Sequence, residues 1–219
     1  YRTVVGVDEQ KIVVIPNGVP SPAETPHATD LRKQLSLSPD SRVLGFAGRL
    51  APQKCLQDLV WAFHLLKQAI DEAVLVIVGD GPERDRLADF ATNVGCRDRV
   101  FFTGHRSDAA ALISQFDAFC LPSSFEGMSN SLTEAMSVGV PVIASDIPAN
   151  AELVTHEETG LLVSCGDSVA ICKAAQRLFS DSDFAFRLSA SARVMIKDRF
   201  SIQQMVQAHT KLYQRLSES

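Results

Sequence analysis

Four side chains could act on one ligand if the fold gathers them: Arg49, Lys54, Glu126 and Glu134. A guanidinium can fork onto two oxygens of a phosphate, and an ammonium adds a point charge beside it. Carboxylates accept hydrogen bonds from hydroxyl groups. The two cations lie in Gly48-Arg49-Leu50-Ala51-Pro52-Gln53-Lys54, between an apolar run at 43–47 and a helical pattern from 56. An anion there would meet both charges and the N–H groups of a helix start. The stretch is not a Walker A loop, since it lacks a second glycine and Lys54 is followed by Cys55. Taken alone, a solvated loop whose charges serve solubility explains these cations equally well.

The carboxylates lie eight positions apart in DAFCLPSSFEGMSNSLTEAMSVGVPVIASD, residues 117–146. This stretch reads as strand, loop, helix and strand, with Glu126 on the loop and Glu134 in the first turn of the helix. Ser131-Leu132-Thr133-Glu134 matches a capping box, so a purely structural role for Glu134 stays open. Glu126 has no comparable structural explanation. It precedes Gly127, and Ser129-Asn130 leave N–H groups free at a helix start. A carboxylate beside such donors can bind sugar hydroxyls and phosphate oxygens together. A third loop, Gly79-Asp80-Gly81-Pro82-Glu83-Arg84, resembles GxGxxG without the third glycine, and its glycines first suggest a tight turn with Pro82 at the first helical position.

The elements that must position these residues alternate. Apolar runs at 11–15, 43–47, 74–78, 99–103, 118–121, 140–145 and 160–163 read as strands, with Pro16-Asn17-Gly18 as a turn after the first. Helical patterns cover 30–37, 56–70, 83–94, 108–116, 132–139 and 149–154, and then 168–179, 184–197 and 202–216. Residues 20–29, rich in Pro and Thr, read as an exposed connector. Alternation of this kind predicts an α/β fold, a doubly wound Rossmann-like parallel sheet of about six strands with helices on both faces. Ligands of such a sheet bind outside the carboxyl ends of its strands.

Composition narrows the function classes. A chain of 219 residues buries roughly 70–75% of its unfolded surface and needs no staple. A net charge of −5 gives no footprint for nucleic acid. Five cysteines (Cys55, Cys96, Cys120, Cys165 and Cys172) at irregular spacing suggest a reducing, cytoplasmic setting. The five histidines show no ligand spacing, and Asp181-Ser182-Asp183 reads as a turn with a helix cap, so no metal site is expected. No G-x-S-x-G elbow is present. Lys197, Arg199, Lys211 and Arg215 read as a solvated face, and only weakly as a peripheral contact with the cytoplasmic membrane face.

Taken in order, Ile15-Pro16-Asn17-Gly18-Val19, Gly48-Arg49-Leu50…Lys54, Val78-Gly79-Asp80-Gly81-Pro82 and Pro122…Glu126-Gly127…Asn130…Glu134-Ala135 resemble the family 4 retaining glycosyltransferases of GT-B architecture. The resemblance covers residues 11–163. It implies a donor-binding domain over 1–199, with 200–219 a C-terminal helix packing back toward an N-terminal domain that carries the acceptor site. It implies transfer of a hexose-type sugar from a nucleotide-diphosphate sugar (UDP first, GDP or ADP otherwise) to a glycan or lipid-linked acceptor, with no cofactor and no metal. Arg49, Lys54 and Glu126 would be catalytic, the cations stabilising the leaving diphosphate. The donor would touch Gly48, Gly81, His105, Arg106, Gly127, Met128, Ser129 and Asn130 as well, with Glu134 on the ribose. A GT-B epimerase, or an inactive module that only binds the nucleotide sugar, is the alternative. Two departures stand out: Cys55 where the family usually has Gly, and Ile147-Pro148-Ala149 in place of a Gly-rich segment.

Overall fold

The computed structural model describes residues 11–20 and 29–218. Six strands, β1 (Arg42–Ala47), β2 (Ala73–Val78), β3 (Val100–Gly104), β4 (Ala118–Leu121), β5 (Val142–Ser145) and β6 (Leu161–Val163), form one parallel sheet in the order β3-β2-β1-β4-β5-β6. Every residue of β2 is buried, which is why its sequence AVLVIV shows no alternation: both faces of the sheet are covered. The helices are α1 (Leu31–Gln34), α2 (Leu56–Leu66), α3 (Arg84–Asn93), α4 (Ala109–Ile113), α5 (Asn130–Ser137), α6 (Pro148–Ala151), α7 (Ser168–Ser180), α8 (Ser182–Arg199) and α9 (Ile202–Ser217). On α2 the stripe Leu56, Leu59, Val60, Phe63 and Leu66 is buried, and the helix packs against α7. Asp181 caps α8 by accepting the Phe184 N–H, as its turn-and-cap pattern predicts.

The strand order sets the site. β1 lies between β2 and β4, and the chain runs outward to β3 on one side and to β6 on the other. Loops leaving the carboxyl ends of β1 and β4 therefore start side by side and carry the chain apart, which opens a crevice between them.

Several expectations need correction. Residues 11–15 do not form a strand: they join no ladder, and Val13 and Val14 are 46% and 82% exposed. The segment is tied down further on, where the Val19 N–H donates to Phe200 O at 2.8 Å. The connector at 20–29 falls mostly on 21–28, outside the described residues. The helix expected at 30–37 spans only Leu31–Gln34; Asp30 caps it, and Ser36 turns left-handed at φ 53°. Pro82 is not the first helical residue, because α3 begins at Arg84. The cap of α5 is Ser129, whose hydroxyl accepts the Leu132 N–H, so the capping box on Ser131 does not form. Glu134 is consequently the fifth residue of α5, in its second turn.

Candidate functional site: a crevice at the carboxyl ends of β1 and β4

Lys54 closes the 3₁₀ turn Pro52–Lys54 after β1, and its Nζ lies 2.5 Å from Glu126 Oε1. Both side chains are largely shielded, 14% and 11% exposed. The buried Ser123 hydroxyl donates to the same Oε1 at 2.7 Å. Behind it, the Ser145 hydroxyl donates to Ser123 O, and Asn150 Nδ2 donates to Ser145 O at 2.9 Å. Gln53 O accepts from Ser124 N at 2.9 Å and from its hydroxyl at 3.3 Å, locking the β1 loop to the β4 loop. Glu126 is thus not without structural partners, as its sequence context had implied. Its Oε2 accepts no hydrogen bond among the described residues.

Ser123, Ser145 and Asn150 were missed by sequence reasoning. The Ser123 and Ser145 hydroxyls and Asn150 Nδ2 are buried and hydrogen-bonded in one chain, so they stiffen the loop that carries Glu126. The Pro122-Ser123-Ser124 run directly after a strand was the available signal.

The second glycine loop serves the first. Backbone hydrogen bonds run from Gly48 N to Val78 O (2.9 Å), Leu50 N to Asp80 O (2.9 Å), Glu83 N to Leu50 O (3.1 Å) and Gly79 N to Gly104 O (2.8 Å). A Cβ on Gly79 would sit 1.9 Å from Gly48 O, and one on Gly81 would sit 2.4 Å from Leu50 O. These glycines permit one backbone to approach another. Arg49, at the rim of this stitched pair of loops, is exposed, and its side chain makes no hydrogen bond or ion pair among the described residues.

Glu134 lines a separate cleft of about 300 Å³ with Asn17, Gly18, Asn130, Thr133 and Met205. Its carboxylate has no hydrogen bond or ion pair among the described residues, and burial pushes its pKa up. Asn17 Nδ2 donates to Asn130 Oδ1 at 3.1 Å, so the chain before α1 forms one wall. The N–H groups of Gly127, Met128, Ser129 and Asn130, which lead into α5, find no acceptor among the described residues. His105 is exposed past the end of β3. Arg106 is occupied elsewhere: Nε and Nη2 each reach an Asp108 carboxylate oxygen at 2.8 Å, and Nη1 reaches Gln34 Oε1 at 2.8 Å. This pair holds the Asp108 carboxyl well below the usual range. The structure therefore joins Lys54 and Glu126 directly, sets Glu134 and Asn130 around an adjoining cleft, and ties Arg106 to Asp108.

Such an arrangement offers cations and free N–H groups to a phosphate and carboxylates to hydroxyls. Residues 28–195 match the family model "Glycosyl transferases group 1". The chain belongs to that glycosyltransferase family. It is 35% identical over 184 residues to the lipopolysaccharide core biosynthesis glycosyltransferase LpsD of Rhizobium meliloti, covering 84% of this chain and 52% of the relative. To the UDP-Gal:alpha-D-GlcNAc-diphosphoundecaprenol alpha-1,3-galactosyltransferase of Escherichia coli it is 34% identical over 215 residues, 94% of this chain and 55% of that one. Among solved structures, Anabaena Alr3699/HepE in complex with UDP superposes with a TM-score of 0.83 at 26% identity, over 98% of this chain and 59% of that chain. The chain spans about half the length of the curated relatives it matches.

Proposed function

We propose that this chain is the donor-binding domain of a retaining, metal-independent family 4 glycosyltransferase that transfers a hexose from a UDP-sugar. The observation that carries the reading is the Lys54–Glu126 contact across the β1–β4 crevice, with the exposed Arg49 on the same loop as Lys54. When the bond between the sugar and the diphosphate breaks, negative charge grows on the departing diphosphate. Arg49, Lys54 and the free N–H groups ahead of α5 are fixed donors for that charge and need no metal to supplement them. Glu126, steadied by Ser123, offers its free Oε2 to hydroxyls of the transferred sugar. Glu134, half-buried and without a partner among the described residues, accepts from the ribose hydroxyls, while backbone at His105 and Arg106 lies beside the base.

UDP is favoured because one relative is named for UDP-Gal and a structural neighbour was solved with UDP. The acceptor is a glycan or lipid-linked glycan held with the rest of a longer protein, which meets the cytoplasmic membrane face peripherally. Among the described residues no helix is long and apolar enough to cross a membrane. Titration calorimetry with UDP, GDP and ADP, with and without a chelator, tests the reading. Binding of UDP that survives chelation is expected; binding by none of the three would overturn it.

A further inference from the structure

Glu126 stands on a loop that gives it little support of its own. Its neighbours Ser124, Phe125 and Gly127 are exposed, Phe125 to 71%. The carboxylate is placed by two contacts on one oxygen, from Lys54 Nζ at 2.5 Å and from the Ser123 hydroxyl at 2.7 Å. The second of these leads inward to a residue on another element. Asn150, in α6 after β5, is fully buried, and its Nδ2 lies 2.9 Å from Ser145 O and 3.3 Å from Ser145 Oγ. Ser145, the last residue of β5, donates its hydroxyl to Ser123 O, with Leu121 O more distant at 3.4 Å.

The supply of protons gives this series of contacts a direction. A carbonyl oxygen only accepts, so the Asn150 atom facing Ser145 O is the amide nitrogen, which only donates. The Ser145 oxygen therefore accepts from Asn150 and keeps its single proton for Ser123 O. Ser123, held by its carbonyl, has its own hydroxyl proton for Glu126 Oε1. With Oε1 held by two donors, Oε2 is the oxygen left for a ligand. The fold itself does not require the amide. Ser145 O also accepts the Ile147 N–H at 2.9 Å and stays paired without Asn150. The other half of the amide, Asn150 Oδ1, is buried and has no hydrogen-bond partner among the described residues, which costs stability. A leucine of similar size would remove that cost. What the asparagine adds is its donor.

We infer that Asn150 is a positioning residue that holds the Glu126 carboxylate in place through Ser145 and Ser123, and so governs the grip on the transferred sugar. The consequence for the sugar rests on the donor-site reading above, in which Glu126 meets the sugar hydroxyls while Arg49, Lys54 and the N–H groups ahead of α5 meet the diphosphate. The series from Asn150 ends on the carboxylate alone. Loosening it should weaken a UDP-hexose and spare UDP.

The test is calorimetric titration of Asn150→Leu with UDP, UDP-glucose and UDP-galactose. For the hexose nucleotide that the wild-type chain binds more tightly, Kd should rise about fivefold, with Kd for UDP within about twofold of wild type. Ser145→Ala cuts the series one link further on and should do the same, which covers a failure of the leucine variant to fold. An unchanged Kd for the UDP-hexose would overturn the proposal. So would equal weakening of UDP and UDP-hexose, the mark of a role in folding alone. A double-mutant cycle in urea unfolding reads the same series without ligand. Either variant combined with Glu126→Gln should show coupling of about fivefold in the unfolding constant, whereas effects that simply add would overturn the positioning role. Coupling in a chain that binds neither UDP nor a UDP-hexose would count against the donor site and leave the positioning of Glu126 standing.

Discussion

Glu126 and Glu134 are the same residue type, eight positions apart, at the two ends of one loop-and-helix segment, yet their environments are opposite. Glu126 is held by Lys54 and Ser123 on one oxygen and is nearly sealed from solvent. Glu134 is half-buried beside a cleft and has no partner among the described residues. A carboxylate held by a cation and a hydroxyl contributes to the fold; a shielded one without partners is carried at a cost and gains most when a ligand supplies donors. Among the described residues the chain therefore has a satisfied carboxylate at Glu126 and an unsatisfied one at Glu134.

Four substitutions can break or sharpen that contrast. Lys54→Met should be the most damaging, because it leaves Glu126 shielded and unpaired. A loss of about 2–3 kcal/mol in urea unfolding is expected, together with loss of most UDP affinity. An unchanged unfolding midpoint would mean that the pair does not form in solution. Glu126→Gln breaks the ion pair but keeps an acceptor for Ser123, so a smaller loss of about 1–2 kcal/mol is expected. A double-mutant cycle with Lys54→Met should then show coupling of about 1 kcal/mol or more.

Arg49→Ala removes no side-chain hydrogen bond or ion pair among the described residues and should leave unfolding within about 0.5 kcal/mol of wild type. UDP affinity should fall about tenfold, because one charge-assisted contact goes. Glu134→Gln is the mildest on the fold and the most telling. Burial sets the folded-state pKa of Glu134 above its unfolded value. The stability it contributes is therefore full at pH below the unfolded carboxylate range and is lost as pH rises through the folded value. At neutral pH the Gln variant should be at least as stable as wild type, and that advantage should vanish on acidification, while UDP binding weakens. A Gln variant less stable at neutral pH would show that Glu134 has a partner after all.

The same contrast marks how far the sequence could be read. Strand and helix alternation gave the parallel sheet, because buried parallel strands are continuous apolar runs and each helix carries its own stripe. The run at 11–15 misled for the same reason: an apolar pattern does not reveal whether the chain there joins the sheet. The glycines at 79 and 81 signalled a tight turn, and the structure adds a close approach of their backbone to Gly48 and Leu50 of the neighbouring loop. The capping box at Ser131 was plausible locally and lost to Ser129, which reaches the helix start first.

By itself the sequence determined the residue types, their order along the chain and the loops on which they stand, because hydrophobic periodicity and turn residues are local properties. Only the tertiary structure decided which of them meet. Lys54 and Glu126 are 72 positions apart and touch because β1 and β4 are neighbours in the sheet. Arg106 is taken by Asp108, and Glu134 is left open, because hydrogen-bond partners are settled by packing across the chain. The packing of α2 along α7 is likewise a contact that no local pattern encodes.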